Sequence, residues 1–245
     1  MNTALITAGG VGSRMGQDIP KQFLHIYDKP AIIWTLKAFQ NHASINAILA
    51  VCLEGWEQVL RSYIRQFNIT KLQYIMPGGR TGQESICNVF FELERHFDCD
   101  SIVLIHDGNR VNVSSDIISD CIVKVRQYGN AISCIPCAEA IMETEDGVTS
   151  STLLPRERLR RTQTPHGFLL KDICQTYREA MEKGITDSVA SCALMARLGK
   201  QIYFSFGSEK NIKLTTVEDI DIFKALLDAT HSDWPKDVNR KKRGV

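Results

Sequence analysis

Directly after an apolar opening run the chain reads Thr7-Ala8-Gly9-Gly10-Val11-Gly12-Ser13-Arg14-Met15-Gly16, followed shortly by Pro20-Lys21-Gln22. Glycines at 9, 10 and 12 let backbone N–H groups approach a phosphate chain, and Arg14 and Lys21 supply the positive charge its oxygens need. A dinucleotide fingerprint would need a helix to open after the glycines, and here Pro20 delays one. A Walker loop would need Lys and then Ser or Thr after its last glycine, where this chain has Gln17. A second group, His106-Asp107-Gly108-Asn109-Arg110, places a carboxylate after an apolar run, where Asp107 could hold Mg²⁺ against phosphates. Near the C-terminus Asn211-Ile212-Lys213-Leu214-Thr215 offers a third cation, Lys213, for the same anion. Neither Ser13 nor Ser85 has the adjacent His and Asp that would make it a nucleophile, and His106 reads as a hydrogen-bonding residue at a strand end.

Elements that would position these groups alternate along the chain. Apolar runs at Thr3–Ala8, Ala47–Leu53, Leu72–Met76, Ser101–His106, Ala131–Pro136 and Gln201–Phe206 lack clean alternation, as strands buried on both faces of a largely parallel sheet do. Helical spacing follows Pro30 and recurs at Trp56–Phe67, Gln83–Phe97 and Ser115–Tyr128. A last helix, Val217–Ala229, is expected to start from a Thr215 or Thr216 cap, with Glu218 and Asp219 in its first turn. Two stretches interrupt the repeat. Gly9–Lys29 is too long for a simple turn, and Ala138–Phe168 is polar and then dense in arginine (Arg156, Arg158, Arg160, Arg161), which suits an arm that packs on another subunit. The expected fold is α/β, a single Rossmann-like domain over 1–230 with a largely parallel, mixed central sheet, helices on both faces and an extended dimerisation arm at about 138–162, followed by a basic tail at 231–245.

The bulk properties agree with one globular unit. The 245 residues are 44% hydrophobic and 23% charged, with a formal net charge of +1. That balance offers no field to hold nucleic acid. No apolar run reaches the ~20 residues that span a bilayer, and a strand pattern starts at once at the N-terminus, so no membrane partner and a cytoplasmic location are expected. Eight cysteines lie mostly in apolar patterns and read as reduced thiols, and the Cys134-x-x-Cys137 pair lacks the further ligands of a metal set.

Taken in order, the glycine loop with Pro20-Lys21-Gln22, Gly78-Gly79 with Ser85, His106-Asp107 with Arg110, Thr164-Pro165, Thr186-Asp187, and Asn211-Ile-Lys-x-Thr with Glu218-Asp219 resemble the cytidylyltransferases that act on methylerythritol phosphate or ribitol phosphate. The resemblance runs from residue 4 to about residue 226. It implies that Arg14, Lys21 and Lys213 stabilise the reacting phosphates. Ala8, Gly9, Gly10, Gly12, Gly78, Gly79 and Ser85 would bind the nucleotide, with Asp107 at the triphosphate and its Mg²⁺. Arg110 and Thr186 would touch the acceptor, and Arg156 would reach it from the arm of the partner in a homodimer. The chain departs from the family pattern at Gly82, Asn109, Val111, Ala140 and His166. Asn109 and Val111 are expected to alter the crevice floor and therefore the acceptor.

The expected reaction is transfer of CMP from CTP to a sugar-alcohol phosphate, ribitol 5-phosphate or a similar alditol phosphate, with release of pyrophosphate. The isoprenoid precursor 2-C-methyl-D-erythritol 4-phosphate is the alternative acceptor. A different base with a different sugar phosphate, or a nucleotide-binding protein without turnover, are the readings from outside that activity.

Overall fold

The computed structural model describes residues 1–10, 19–79 and 81–231. In chain order the elements are β1 (Asn2–Ala8), β2 (His25–Ile26), β3 (Lys29–Pro30), α1 (Ala31–Gln40), β4 (Ala47–Cys52), α2 (Glu57–Gln66), β5 (Leu72–Pro77) and α3 (Gly82–His96). There follow β6 (Ile102–Asp107), α4 (Ser115–Tyr128), β7 (Asn130–Pro136), β8 (Ile141–Glu143), β9 (Thr152–Leu154), β10 (Arg160–Leu169), α5 (Leu170–Glu182), α6 (Ser191–Arg197), β11 (Phe204–Phe206) and α7 (Val217–His231). Seven strands form one sheet in the order β11-β7-β10-β6-β1-β4-β5. The neighbours pair in parallel except that β10 runs antiparallel to both β6 and β7. The sheet is therefore largely parallel and mixed.

Alternation within the strands, hidden in the sequence because both faces are apolar, becomes visible in the packing. Ala4, Ile6 and Ala8 of β1 face a core that also takes Ile33, Leu36 and Phe39 of α1, Leu60 of α2, and Ile118 and Ile122 of α4. Leu5 faces the opposite core with Phe90 and Leu93 of α3, Ile173 and Tyr177 of α5, and Leu194 of α6. Helices thus cover both faces, and the carboxyl ends of β1, β4, β5 and β6 emerge along one rim. No helix among the described residues is long and apolar enough to cross a membrane. All eight cysteines are free thiols.

Two sequence expectations change here. The stretch that reads as one long excursion to Phe168 is an arm only as far as residue 159. From Arg160 to Leu169 it is β10, a strand inside the sheet. Its polar composition, with Pro165 and Gly167, carries no strand period. Its register against β7 shifts between Thr162 and His166, and within that irregularity Gln163 makes side-chain bonds instead. The Gln163 carboxamide accepts from Ser208 N (3.1 Å) and donates to Ser208 O (2.9 Å), so a side chain does the work of a ladder pair. The second change is at Gln201–Phe206, where only Phe204–Phe206 pairs as a strand, parallel to β7 at the sheet edge. The arm itself is a β8–β9 hairpin whose residues are almost all exposed. The basic tail, beyond His231, lies outside the described residues.

Candidate active site

A cleft of about 560 Å³ opens along the rim where the parallel strands end. Loops at the carboxyl ends of such strands are where open α/β sheets bind ligands. β1 contributes Thr7 and Ala8 and leads into Gly9 and Gly10; the β5–α3 connection contributes Gly79 and Thr81, with Ser85 on the helix; β6 contributes Asp107, and the segment before α7 contributes Lys213. Lys21 and Lys213 are the two cations in the described lining and Asp107 the one carboxylate. Of the glycine-loop residues, Gly12 and Arg14 lie outside the described residues. Gly78 is the residue before Gly79, and its N–H donates to Cys52 O at 2.9 Å, which ties this side of the cleft to the end of β4.

Local sequence explains each wall. Ser85 Oγ accepts from Gly79 N (2.7 Å) and donates to Thr81 O (2.8 Å), while Thr81 caps α3 by accepting from Glu84 N (3.0 Å). A side chain at Gly79 would bring Cβ to 2.9 Å from Glu84 Cγ and 3.0 Å from Ser85 N, so glycine lets the chain make this tight return into the helix without displacing either. At the other wall Gly108 N donates to Thr7 O (2.8 Å), and a Cβ on Gly108 would sit 2.9 Å from that same oxygen. Glycine there lets the Asp107 turn lie directly on the end of β1.

Asp107 is held on three sides. Its N–H donates to Thr164 Oγ1 at 3.1 Å, its Oδ2 lies 3.1 Å from Lys213 Nζ, and Arg110 Nε lies 3.5 Å from the same oxygen. Burial pushes the carboxyl up, but Lys213 and Arg110 outweigh it, so the group sits below the ordinary carboxylate range and is ionised at neutral pH. Lys213 is brought there by Asn109, whose side-chain amide donates to Leu214 O while its own carbonyl accepts from Leu214 N at 2.9 Å. Asp219 Oδ2 accepts from Thr215 N (2.6 Å), Thr215 Oγ1 (2.7 Å) and Thr216 N (2.8 Å), so a carboxylate in the first turn of α7 satisfies the N–H groups of both threonines that precede the helix.

The three residues assigned to the acceptor by resemblance occupy different places. Arg110 is 9% exposed and donates to Asn211 O at 2.6 Å; it lies beneath Asp107 and outside the cleft lining. Thr186 lines a neighbouring recess that shares Thr81 and Gln83 with the cleft. Arg156 sits at the base of the arm, donating to Ala138 O at 3.1 Å. Of the departures, Asn109 does line the cleft, but Val111 does not. It is packed with Leu214 and Phe223 under α7, so the expectation that it alters the crevice floor is corrected: its apolar side chain belongs to a satellite core. Gly82 lines the cleft with open space where a side chain would project.

His106 and His166 are buried below Asp107. His106 donates from Nε2 to Arg110 O at 3.0 Å and holds the turn, as its position at the strand end suggested. Burial pushes both imidazoles down to about 4, so both are neutral at pH 7. An unfolded chain would take up protons on them below the ordinary value of about 6.5, which the native state refuses. Their contribution is therefore fully present above pH ~6.5 and lost as the pH falls toward 4, with a total cost on the order of a few kcal/mol. Urea midpoints at pH 7.5 and pH 5 measure this; equal midpoints would contradict it.

The profile of the family described as 2-C-methyl-D-erythritol 4-phosphate cytidylyltransferase matches residues 2–229. The chain belongs to this cytidylyltransferase family. Among its relatives, a ribitol-5-phosphate cytidylyltransferase of Lacticaseibacillus paracasei is 42% identical over 93% of this chain and 98% of the other. One of the same name from Vibrio parahaemolyticus is 41% identical over 93% and 96%. A 2-C-methyl-D-erythritol 4-phosphate cytidylyltransferase of Clostridium botulinum is 38% identical over 93% and 97%. In fold, the chain is similar to the crystal structure of 4-diphosphocytidyl-2C-methyl-D-erythritol synthase from Anaerococcus prevotii, with a TM-score of 0.78, 21% identity, and 93% and 96% of the two chains covered.

Several residues of this cytidylyltransferase shape the cleft without having stood out in the sequence. Gln22, visible there only as part of Pro20-Lys21-Gln22, is 2% exposed and donates from Nε2 to Ala8 O (2.8 Å) and Gly10 O (3.1 Å). It therefore pins the described start of the glycine loop to the short turn that carries Lys21. Gln22→Ala is expected to weaken CTP binding about tenfold, the worth of one to two net hydrogen bonds. Calorimetry with CTP checks this, and an unchanged affinity would contradict it. Gln163 and Asn211 dock the loop that carries Lys213: Asn211 Nδ2 donates to Thr164 O at 2.9 Å, next to the hydroxyl that holds Asp107. Only the Asn-x-Lys spacing hinted at that arrangement.

Proposed function

We propose that this cytidylyltransferase joins the CMP part of CTP to the phosphate of ribitol 5-phosphate, or a closely similar alditol phosphate, and releases pyrophosphate. The convergence of Lys21, Lys213 and ionised Asp107 on one cleft carries the nucleotidyl-transfer reading. The names of the two relatives at 42% and 41% identity support ribitol 5-phosphate as acceptor.

The reaction brings two anions together. An oxygen of the acceptor phosphate forms a bond to the α-phosphorus of CTP, the α–β bridging bond breaks, and pyrophosphate leaves with that electron pair. The acceptor phosphate is already ionised near neutral pH, so no strong general base is required, and the neutral, buried His106 is left to its structural bond. Lys213, 41% exposed at the cleft edge, and Lys21 supply fixed positive charge where the nonbridging oxygens gain negative charge, and Arg14 is assigned the same role from the sequence. Backbone at Ala8, Gly9, Gly10 and Gly79, with Ser85 fixing the last of these, would hold the nucleoside.

Mg²⁺ fits these residues as a substrate-borne ion: Asp107 is the single ionised carboxylate in the described lining, and Mg²⁺ usually takes one or two carboxylates together with substrate phosphates. When bound there it neutralises charge on the triphosphate and the departing pyrophosphate. We assign the enzyme to the cytoplasm and its arm to a homodimer contact in which Arg156 approaches the neighbouring subunit's acceptor.

The test is pyrophosphate release from CTP and Mg²⁺ with ribitol 5-phosphate, glycerol 3-phosphate and methylerythritol 4-phosphate, repeated with UTP, ATP and GTP. The highest kcat/KM is expected with CTP and ribitol 5-phosphate. A higher value with methylerythritol 4-phosphate would move the acceptor to the isoprenoid branch, and tight CTP binding without product from any acceptor would overturn the catalytic reading.

A further inference from the structure

We infer that Gln83 is a positioning residue that sets the acceptor side of the cleft by tethering the loop between α5 and α6, an inference that rests on the activity proposed above. Gln83 is the second residue of α3 and is 7% exposed. Its Nε2 donates to Ile185 O at 2.6 Å and its Oε1 accepts from Ser188 N at 2.8 Å. One planar carboxamide thus satisfies a carbonyl and an N–H at the two ends of a four-residue bend. That bend begins just after Gly184, whose φ is +66°, and runs into α6 at Ser191.

What the bend presents is functional surface. Ser188, Val189 and Ala190 line the cleft, and Thr186, which the resemblance places at the acceptor, lines the recess that adjoins it. Ile185 and Ala190 anchor the two ends of the loop in the core shared with α3 and α5, and Asp187 pairs with Arg197 at 3.1 Å, whereas Val189 at its crest is 94% exposed. Between those anchors Gln83 fixes the backbone at both Ile185 and Ser188. The nucleotide side is held separately: Thr81 and Ser85, on the same first turn of α3, make their own bonds to Glu84 N and Gly79 N. Loss of the Gln83 amide would loosen the middle of the 185–190 loop between those anchors and leave the Gly79 wall closed.

The side chain requirement is for a donor and an acceptor in fixed order. Leucine fills the volume and makes neither bond. Glutamate keeps an acceptor for Ser188 N but turns a carboxylate oxygen toward Ile185 O, which repels it. A split between the two substrates follows, and a merely structural residue would not produce it.

The experiment compares wild type, Gln83→Leu and Gln83→Glu by calorimetry with CTP alone, by steady-state pyrophosphate release with ribitol 5-phosphate varied, and by hydrogen exchange over residues 185–190. Acceptor KM is expected to rise on the order of 10- to 100-fold in Gln83→Leu, from the loss of two buried pairs, and at least as much in Gln83→Glu, which buries a charge facing Ile185 O. CTP affinity is expected to stay within about threefold, and exchange in the loop to speed up, since unpaired amides open more readily. Equal losses in CTP affinity and acceptor KM, or a folded Gln83→Leu protein with unchanged acceptor KM, would overturn the inference. If wild type itself turns over no acceptor, the activity reading fails on its own, and unaltered exchange in the loop of Gln83→Leu would then overturn the tether independently.

Discussion

Lys213→Ala is expected to slow pyrophosphate release at saturating substrates on the order of 10² to 10³-fold, the usual cost of removing one preorganised charge from a site where anionic charge builds. Lys213 is suited to that role by placement. Its Nζ is 3.1 Å from Asp107, and the backbone next to it is clamped to Asn109 by Leu214 N, so the ammonium is held before substrate arrives. Fold stability should change modestly, because Lys213 is 41% exposed and the 21%-exposed Asp107 left behind keeps Arg110 beside it. The loss should therefore appear in kcat, with CTP affinity affected far less. A fall below tenfold in a protein with a native circular dichroism spectrum would contradict the assignment. Lys213→Arg keeps the charge but exchanges a point ammonium for a wide planar fork, so partial recovery is expected.

Asp107→Asn is expected to cost on the order of 10³ in rate, several kcal/mol of transition-state stabilisation. The substitution preserves shape and removes the one carboxylate in the described lining. The concentration of Mg²⁺ required for half-maximal rate should rise as well, which separates this variant from Lys213→Ala. A stability penalty accompanies it. Arg110, with its side chain 11% exposed, would lose its carboxylate neighbour and retain the bond to Asn211 O, a change costing about 1–3 kcal/mol. Urea unfolding measures that penalty, and Mg²⁺ titration of the rate measures the first effect. An unchanged Mg²⁺ requirement would remove Asp107 from the metal's surroundings.

The central parallel strands were legible because they are apolar on both faces, and Ala47–Cys52 or Ile102–Asp107 stand out from their neighbours for that reason alone. The antiparallel β10 was not. Half of it is arginine, threonine and glutamine, and its irregular middle exchanges ladder bonds for Gln163 pairing with Ser208, a contact 45 residues apart that no local period encodes. The site divides in the same way. Glycines, lysines and an aspartate at strand ends have chemistry that spacing exposes, whereas Gln22, Gln83 and Asn211 act through backbone groups that only the folded chain brings near. Val111 shows the converse: beside Arg110 in sequence, it belongs to the packing under α7 because the turn after β6 sends consecutive side chains in different directions.

Phosphorus-31 NMR of the protein with CTP, Mg²⁺ and ribitol 5-phosphate tests the transfer itself. The expected spectrum gains a pyrophosphate signal together with two mutually coupled resonances of a diphosphate diester, while the monoester signal of the acceptor declines in step. Formation of CMP with the acceptor monoester untouched, or a CTP spectrum that never changes, would contradict cytidylyl transfer at this cleft.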